Sequence, residues 1–427
     1  MQKLTLWMLL SQLVLVLLAT LTFSFPYYDE NDELEAVKRM LAHPQVGSEE
    51  LSKAALDEYF YRMQGIRDQG LGGEKPGHDQ VGVLTLDLDW PEDYVTSKVG
   101  QVGGLAVCPE GNAHVFHRAE RVWEDDMFDK DNVYTKQSEG PIKEMTLMQM
   151  AKLDGKTLHK ASYKWSAGRF YLPHGLTLDH QKNYWLTDVA MHQVFKFVPG
   201  AKEPSLVLGK AFEPAKDNKD TERFCKPTAV AVASNGEFFV ADGYCNSRVV
   251  KYNANGTVIG IIEEDFEIPH SLALVEEQDL ICVADRENER IVCLRAGLQD
   301  NKMFGVPVDE FADFNLGRVF SISYSPSDRV MYAVTQASYG MQMPMCYSIN
   351  MDEERNTPDL MAQWTPEDAE FDQPHAVAVS PDGSTVYVGI IDHESTRKVW
   401  KFDKPAPEQP EAEETYEEEE EEEEDEN

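Results

Sequence analysis

Three Pro-His dipeptides occupy matching places in a recurring pattern: Pro173-His174 in LPHGLTL, Pro269-His270 in IPHSLAL and Pro374-His375 in QPHAVAV. Each opens an alternating apolar run, followed by a turn and a second alternating run. Three imidazoles in one register of a repeated fold can meet at one point. Three neutral imidazoles around a point make a zinc site with one coordination position left open. An open position belongs to catalysis more than to scaffolding. A single such histidine would say little, because a strand-opening histidine is readily satisfied by a backbone carbonyl. The reading rests on three of them in register.

Three further residues stand near the ends of second strands. Arg118 ends VFHR, Tyr244 lies in DGYCNSR directly before Cys245, and Arg286 lies in ADREN. All three follow a strand that starts in the histidine region, so they are expected at the same mouth. Nearby guanidiniums favour a phenolate, which would lower the Tyr244 pKa. A phenolate is a usable general base. Arg118 and Arg286 also have an ordinary reading as turn arginines paired with carboxylates.

The elements that must position these groups repeat from about residue 81 onward. Units start near Gly103, Tyr171, Lys226, Ile268, Arg318 and Gln373. Each has an alternating strand, a turn rich in Asp, Asn, Gly or Ser, a second strand and usually a third. A period of roughly 40–70 residues reads as propeller blades, giving an all-β, six-bladed β-propeller. The turns in DGYCNSRVV and DRENERIV are similar to NHL repeats. His174, His270 and His375 fall in the second, fourth and sixth units. Alternate blades of six lie about 120° apart, which suits convergence on one metal. In the other units the equivalent positions are read as Leu105, Thr228 and Ser321 or near neighbours, weaker ligands or none.

The flanks are of another kind. Residues 1–24 read as a secretory signal peptide: Lys3, an apolar run from Leu4 to Leu21, then small Thr22 and Ser24 before a cut. Residues 25–80 carry helical spacing and a Gly-rich linker and form an N-terminal extension. The propeller occupies 81–404. Residues 405–427 form an acidic tail that self-repels and is expected to be disordered. The chain's formal net charge is −37, and thirteen of its acidic residues lie between Glu411 and Glu426. That sign disfavours a nucleic-acid partner. The expectation is a secreted monomer, with no membrane association once the signal is cut.

Secretion permits disulfides among the six cysteines. Cys225 and Cys245 are close in sequence, as are Cys282 and Cys293, and local bridges are plausible. Cys108 and Cys346 either pair with each other or stay as free buried thiols, and the reading leans to free thiols. Asn255-Gly256-Thr257 is an N-glycosylation sequon in a turn.

LPHGLTLD, NYWLTDVAMHQVFK, DGYCNSRVVKY, PHSLAL, CVADRENERI and PHAVAV together closely resemble the peptidyl-α-hydroxyglycine α-amidating lyases (peptidylamidoglycolate lyases). The resemblance covers about residues 90–403, with nothing similar to the copper monooxygenase fused to this lyase in bifunctional amidating enzymes. It implies a stand-alone lyase that converts peptidyl-α-hydroxyglycine, made by a separate monooxygenase, into peptide amide and glyoxylate. It implies zinc on His174, His270 and His375, a catalytic and substrate-binding set of Tyr244, Arg118 and Arg286, with Tyr244 as the base and both arginines binding the substrate and supporting Tyr244. It implies disulfides Cys225–Cys245 and Cys282–Cys293. It also implies calcium on the axis, held by the carbonyls of Leu105 and Leu176 and a carboxylate after the third histidine. This chain has Ala376 there, which offers no side-chain oxygen, and calcium wants several hard oxygens. Gln373 replaces a common Met beside the pocket. The alternative reading is a catalytically inactive, secreted NHL-type propeller that binds peptides or proteins. A calcium-dependent propeller lactonase would want acidic and amide residues where the histidines stand.

Overall fold

In the computed structural model, the described residues are 84–404 apart from 92–98, 154–155, 160, 313–315, 338–343, 353–358 and 367–370. The signal-peptide, N-terminal-extension and acidic-tail readings therefore lie outside the described residues.

Twenty-four strands form six four-stranded antiparallel sheets. Blade 1 runs from Val102 to His159, blade 2 from Pro173 to Leu208, blade 3 from Pro227 to Ile262, blade 4 from Pro269 to Phe311 and blade 5 from Arg318 to Trp364. Blade 6 contains Pro374–Val379, Thr385–Ile390 and Val399–Asp403, and its outer strand is Thr85–Leu86. Thr85 pairs with Asp403 and Leu86 with Phe402, so the ring is closed by its two chain ends. The first strand of each blade packs on that of the next, and the sixth on the first. No helix among the described residues is long and apolar enough to cross a membrane.

Six apolar clusters fill the wedges between neighbouring blades. Blades 1 and 2, for example, meet through Phe116, Phe170, Leu176, Leu186 and Phe197. Blades 5 and 6 meet through Tyr332, Trp364, Val388, Trp400 and Phe402. Alternation explains this arrangement: both faces of each blade are covered, so every second-strand residue is buried in Phe238–Asp242 and Leu280–Asp285.

Two devices set how each inner strand begins. The first is a carboxylate at the end of the second strand in blades 2 to 4. Asp188 accepts from the N–H groups of Tyr171 and Leu172, Asp242 from Cys225 and Asp285 from Glu267, all just upstream of an inner strand. Arg248 and Arg290 pair with Asp242 and Asp285 at 2.9 and 2.8 Å. These are the Asp and Arg residues of the NHL-like turns. The second device is a register shift at the start of all six inner strands, at the second residue in blades 1, 3, 4 and 6, at the third in blade 5, and across His174 and Gly175 in blade 2. A β-bulge of this kind leaves one residue out of the ladder and re-aims its side chain. The residues at these shifts are Gly103, His174, Thr228, His270, Phe320 and His375. The histidine-equivalent positions of the other blades are thus Gly103 and Phe320 rather than Leu105 and Ser321, because the bulge displaces the count. Thr228 stands as expected.

Both local disulfides are formed, Cys225–Cys245 and Cys282–Cys293, and Cys108 and Cys346 are free and buried. Asn255 is exposed in its turn.

Candidate active site

The three histidines meet. Their ring centroids form a near-equilateral triangle with sides of 4.8, 4.8 and 4.9 Å, and each ring is 2% exposed. The Nδ1 of His174 donates to the carbonyl of Thr228 at 2.8 Å, and that of His270 to the carbonyl of Phe320 at 2.6 Å. Both acceptors are bulge residues of the next blade. His375 faces the Gly103 carbonyl, the equivalent group of blade 1, without a formed hydrogen bond. A carbonyl only accepts, so His174 and His270 carry the proton on Nδ1 and present a bare Nε2 to the centre.

Burial holds all three rings neutral. It lowers His174 to about 3, with the positive charge of Arg118 acting the same way. His270 and His375 lie well below the usual histidine range, again through burial first.

Tyr244 enters this triangle from the turn after the second strand of blade 3, next to the Cys225–Cys245 bridge. Its hydroxyl is 3.0 Å from Nε2 of His174 and 3.0 Å from Nε2 of His270. One proton is shared among three converging lone-pair donors, and a cation is the group that neutralises such a surplus. The ligand nitrogens lie within 4.8 Å of one another, and this is the one possible metal-holding group of His, Cys, Asp and Glu among the described residues. Three neutral imidazoles fit zinc. Ala376 is buried in an apolar cluster with Leu105, Val102 and Val115, and Leu176 packs in the neighbouring cluster between blades 1 and 2.

The arginines flank the phenol on two sides. The Arg286 guanidinium carbon lies 5.4 Å from the Tyr244 ring centre and 4.9 Å from that of Phe320, and the side chain pairs with Glu287 at 2.7 Å. Arg118 is 1% exposed; it donates from Nη1 to Gln101 Oε1 at 2.9 Å and from Nε to the Pro173 carbonyl at 3.2 Å. Burial without a direct carboxylate partner lowers Arg118 to about 10, while Tyr244 and Asp188 pull it back up. The Tyr244 phenol is raised rather than lowered. Burial outweighs the opposing pull of Arg286 and Arg118, which corrects the expectation drawn from the two guanidiniums alone.

Two neighbours escape sequence reading. Trp123 lies in the loop between the second and third strands of blade 1, and its ring is 5.2 Å from that of Tyr244. Phe320 backs Arg286. Gln373, expected in the pocket wall, has an exposed side chain and a φ of 49° before Pro374.

A closed six-bladed ring with a histidine triad and a phenol on its axis is the frame of a propeller enzyme, not of an adhesive repeat alone. NHL repeats match residues 224–252 and 266–294. Peptidyl-alpha-hydroxyglycine alpha-amidating lyase 2 of Drosophila melanogaster is 42% identical over 328 residues, covering 75% of this chain and 76% of that protein. A probable lyase of the same name from Caenorhabditis elegans is 37% identical, covering 69% of this chain and 82% of its own. Peptidyl-glycine alpha-amidating monooxygenase A of Xenopus laevis is 41% identical over 78% of this chain, which spans only 35% of that longer protein. The chain belongs to the peptidyl-α-hydroxyglycine α-amidating lyases, and it is an enzyme of peptide amidation.

Proposed function

We propose that the protein is a zinc-dependent lyase that cleaves the C–N bond of peptidyl-α-hydroxyglycine, giving a C-terminally amidated peptide and glyoxylate. The observation that carries this reading is the Tyr244 hydroxyl bridging His174 and His270 along one edge of a buried histidine triangle. The substrate carbon bears a hydroxyl and an amide nitrogen. As the C–N bond breaks, the hydroxyl oxygen becomes the glyoxylate carbonyl and gives up its proton, and the leaving nitrogen gains one.

Tyr244 is placed to take the hydroxyl proton and return a proton to the nitrogen. Arg118 has no acceptor among the described residues beyond Gln101 and Pro173, so a guanidinium edge remains for the carboxylate of the hydroxyglycine. Arg286 holds the phenol ring and favours its ionised form against the cost of burial. His174, His270 and His375 would hold zinc, which supplies Lewis acidity toward a substrate oxygen and positive charge beside Tyr244.

The substrate would come from a separate hydroxylating monooxygenase. A secreted, signal-bearing chain with a glycan on Asn255 suits that role, as the exposed sequon turn and the two disulfides support. The test is zinc per chain together with glyoxylate released from an N-acyl-α-hydroxyglycine. Stoichiometric zinc with turnover supports the lyase. Stoichiometric zinc without glyoxylate would favour the inactive peptide-binding propeller.

A further inference from the structure

The loop joining the second and third strands of blade 1, residues 118–146, crosses over two neighbouring blades. At its root Gln101, 7% exposed, accepts from the backbone N–H of Trp123 at 2.8 Å and from Arg118 Nη1 at 2.9 Å on the same oxygen. Its amide donates to the Ile391 carbonyl of blade 6 at 2.9 Å, which fixes its orientation. In mid-course Tyr134 meets Tyr171 of the segment entering blade 2 at 6.1 Å between ring centres. Just before it in the chain, Phe128 and Asn132 reach blade 3, where the Lys226 ammonium sits 4.0 Å from the centre of the Phe128 ring and donates to Asn132 Oδ1 at 2.9 Å. The loop is thus fastened on blades 1 and 3.

Trp123 is the residue this loop presents to the site. Arg118 lies 5.0 Å from the centre of its ring, and the Tyr244 ring lies 5.2 Å away at an interplanar angle of 39°. The stack continues through Arg286 to Phe320. A guanidinium over an indole face is held by the ring quadrupole, and more firmly when desolvated. Arg118 and Tyr244 come from different blades and share no direct hydrogen bond. The indole is the body that spans them.

We infer that Trp123, anchored through Gln101, is a positioning residue that sets the distance and orientation between Arg118 and Tyr244. This rests on the roles proposed above for those two residues. Positioning errors of about 1 Å can cost on the order of a hundredfold in rate.

The test uses the full chain in four variants, with kcat, KM, zinc per chain and melting temperature read for each. Trp123→Ala is expected to lower kcat/KM by about ten- to a hundredfold with zinc per chain unchanged. Trp123→Phe, which keeps a ring between the two groups, is expected to recover most of that loss. Gln101→Glu gives Arg118 a carboxylate and removes the donor to the Ile391 carbonyl, so KM is expected to rise about tenfold. Trp123→Ala with kcat/KM within about twofold of the parent would overturn the inference, as would Trp123→Phe losing as much as Trp123→Ala. If Trp123→Ala fails to fold, Trp123→Phe with kcat/KM more than about tenfold below the parent, at parental zinc content and melting temperature, would overturn it instead. Arg118→Ala serves as the control. Full turnover in that variant would remove the assigned substrate contact, whereas its loss beside an active Trp123→Ala would remove only the positioning role.

Discussion

The Tyr244 hydroxyl stands equidistant, at 3.0 Å, from the Nε2 atoms of His174 and His270. The two histidines come from blades 2 and 4, and the tyrosine from the blade between them. The phenol therefore closes the gap that alternation of the histidines leaves on that side of the axis.

Replacing Tyr244 with Phe removes that oxygen and keeps the ring between Trp123 and Arg286. Glyoxylate release is expected to fall by at least about a hundredfold, within the usual worth of general acid–base catalysis. Zinc per chain and melting temperature should stay near the parent values. Parental turnover in this variant would strip Tyr244 of its proposed role.

His270→Ala takes away one of the three proposed ligands and leaves the Phe320 carbonyl without its imidazole donor. Metal analysis after dialysis is expected to show well under one zinc per chain, and turnover should fall with it. A variant that keeps a full zinc complement and full activity would show that His270 is not a ligand.

Gly103 occupies in blade 1 the bulge position that His174 occupies in blade 2. A Cβ on Gly103 would lie 2.6 Å from the Pro173 carbonyl oxygen and 2.8 Å from the His174 Cα, both backbone atoms that cannot rotate aside. Gly103→Ala should cost about 1–3 kcal/mol in urea unfolding. It should also weaken zinc retention, since the strand it displaces carries His174, a proposed ligand. A stability and zinc content equal to the parent would refute this packing argument.

Acid should weaken the fold before the carboxylates titrate. Burial lowers His117 from its ordinary 6.5 to about 3, and burial with the nearby Lys226 charge lowers His192 to about 4. Below pH 6.5 the unfolded chain binds protons that the folded chain refuses. The stability these residues contribute is therefore complete above 6.5 and is lost as pH falls toward their folded values. Each would remove about 1.4 kcal/mol per pH unit in that window. His117 Nδ1 accepts from the N–H groups of Gly100 and Ala119, so His117→Asn keeps an acceptor there while removing the titration. Urea midpoints at pH 7.5 and 5.5 should differ less in that variant. An equal drop in both proteins would exclude His117 as a source.

The blade count, the histidine triad, the disulfide pairs and the Tyr–Arg set were legible because each is tied to a strand register that repeats along the chain. The bulge was not, since one residue leaving the ladder has no compositional mark, and it moved the equivalent positions to Gly103 and Phe320. Trp123 and Gln101 escaped because the loop after Arg118 has no counterpart in other blades against which to align it. The Tyr244 pKa was misjudged for a related reason. Positive neighbours can be read from sequence, but the depth at which a ring is enclosed cannot, and here enclosure has the larger effect. Thr85–Leu86 was also hidden, as two residues are too few to show alternation.

That short strand has a topological consequence. Because Thr85 lies beside Asp403, the polypeptide upstream of the ring and the polypeptide downstream of it depart from neighbouring points on the outer edge of blade 6. Trimming up to residue 83 leaves that strand and the buried Leu84 beside it in place, whereas trimming three residues further would remove the pairing that joins the two chain ends.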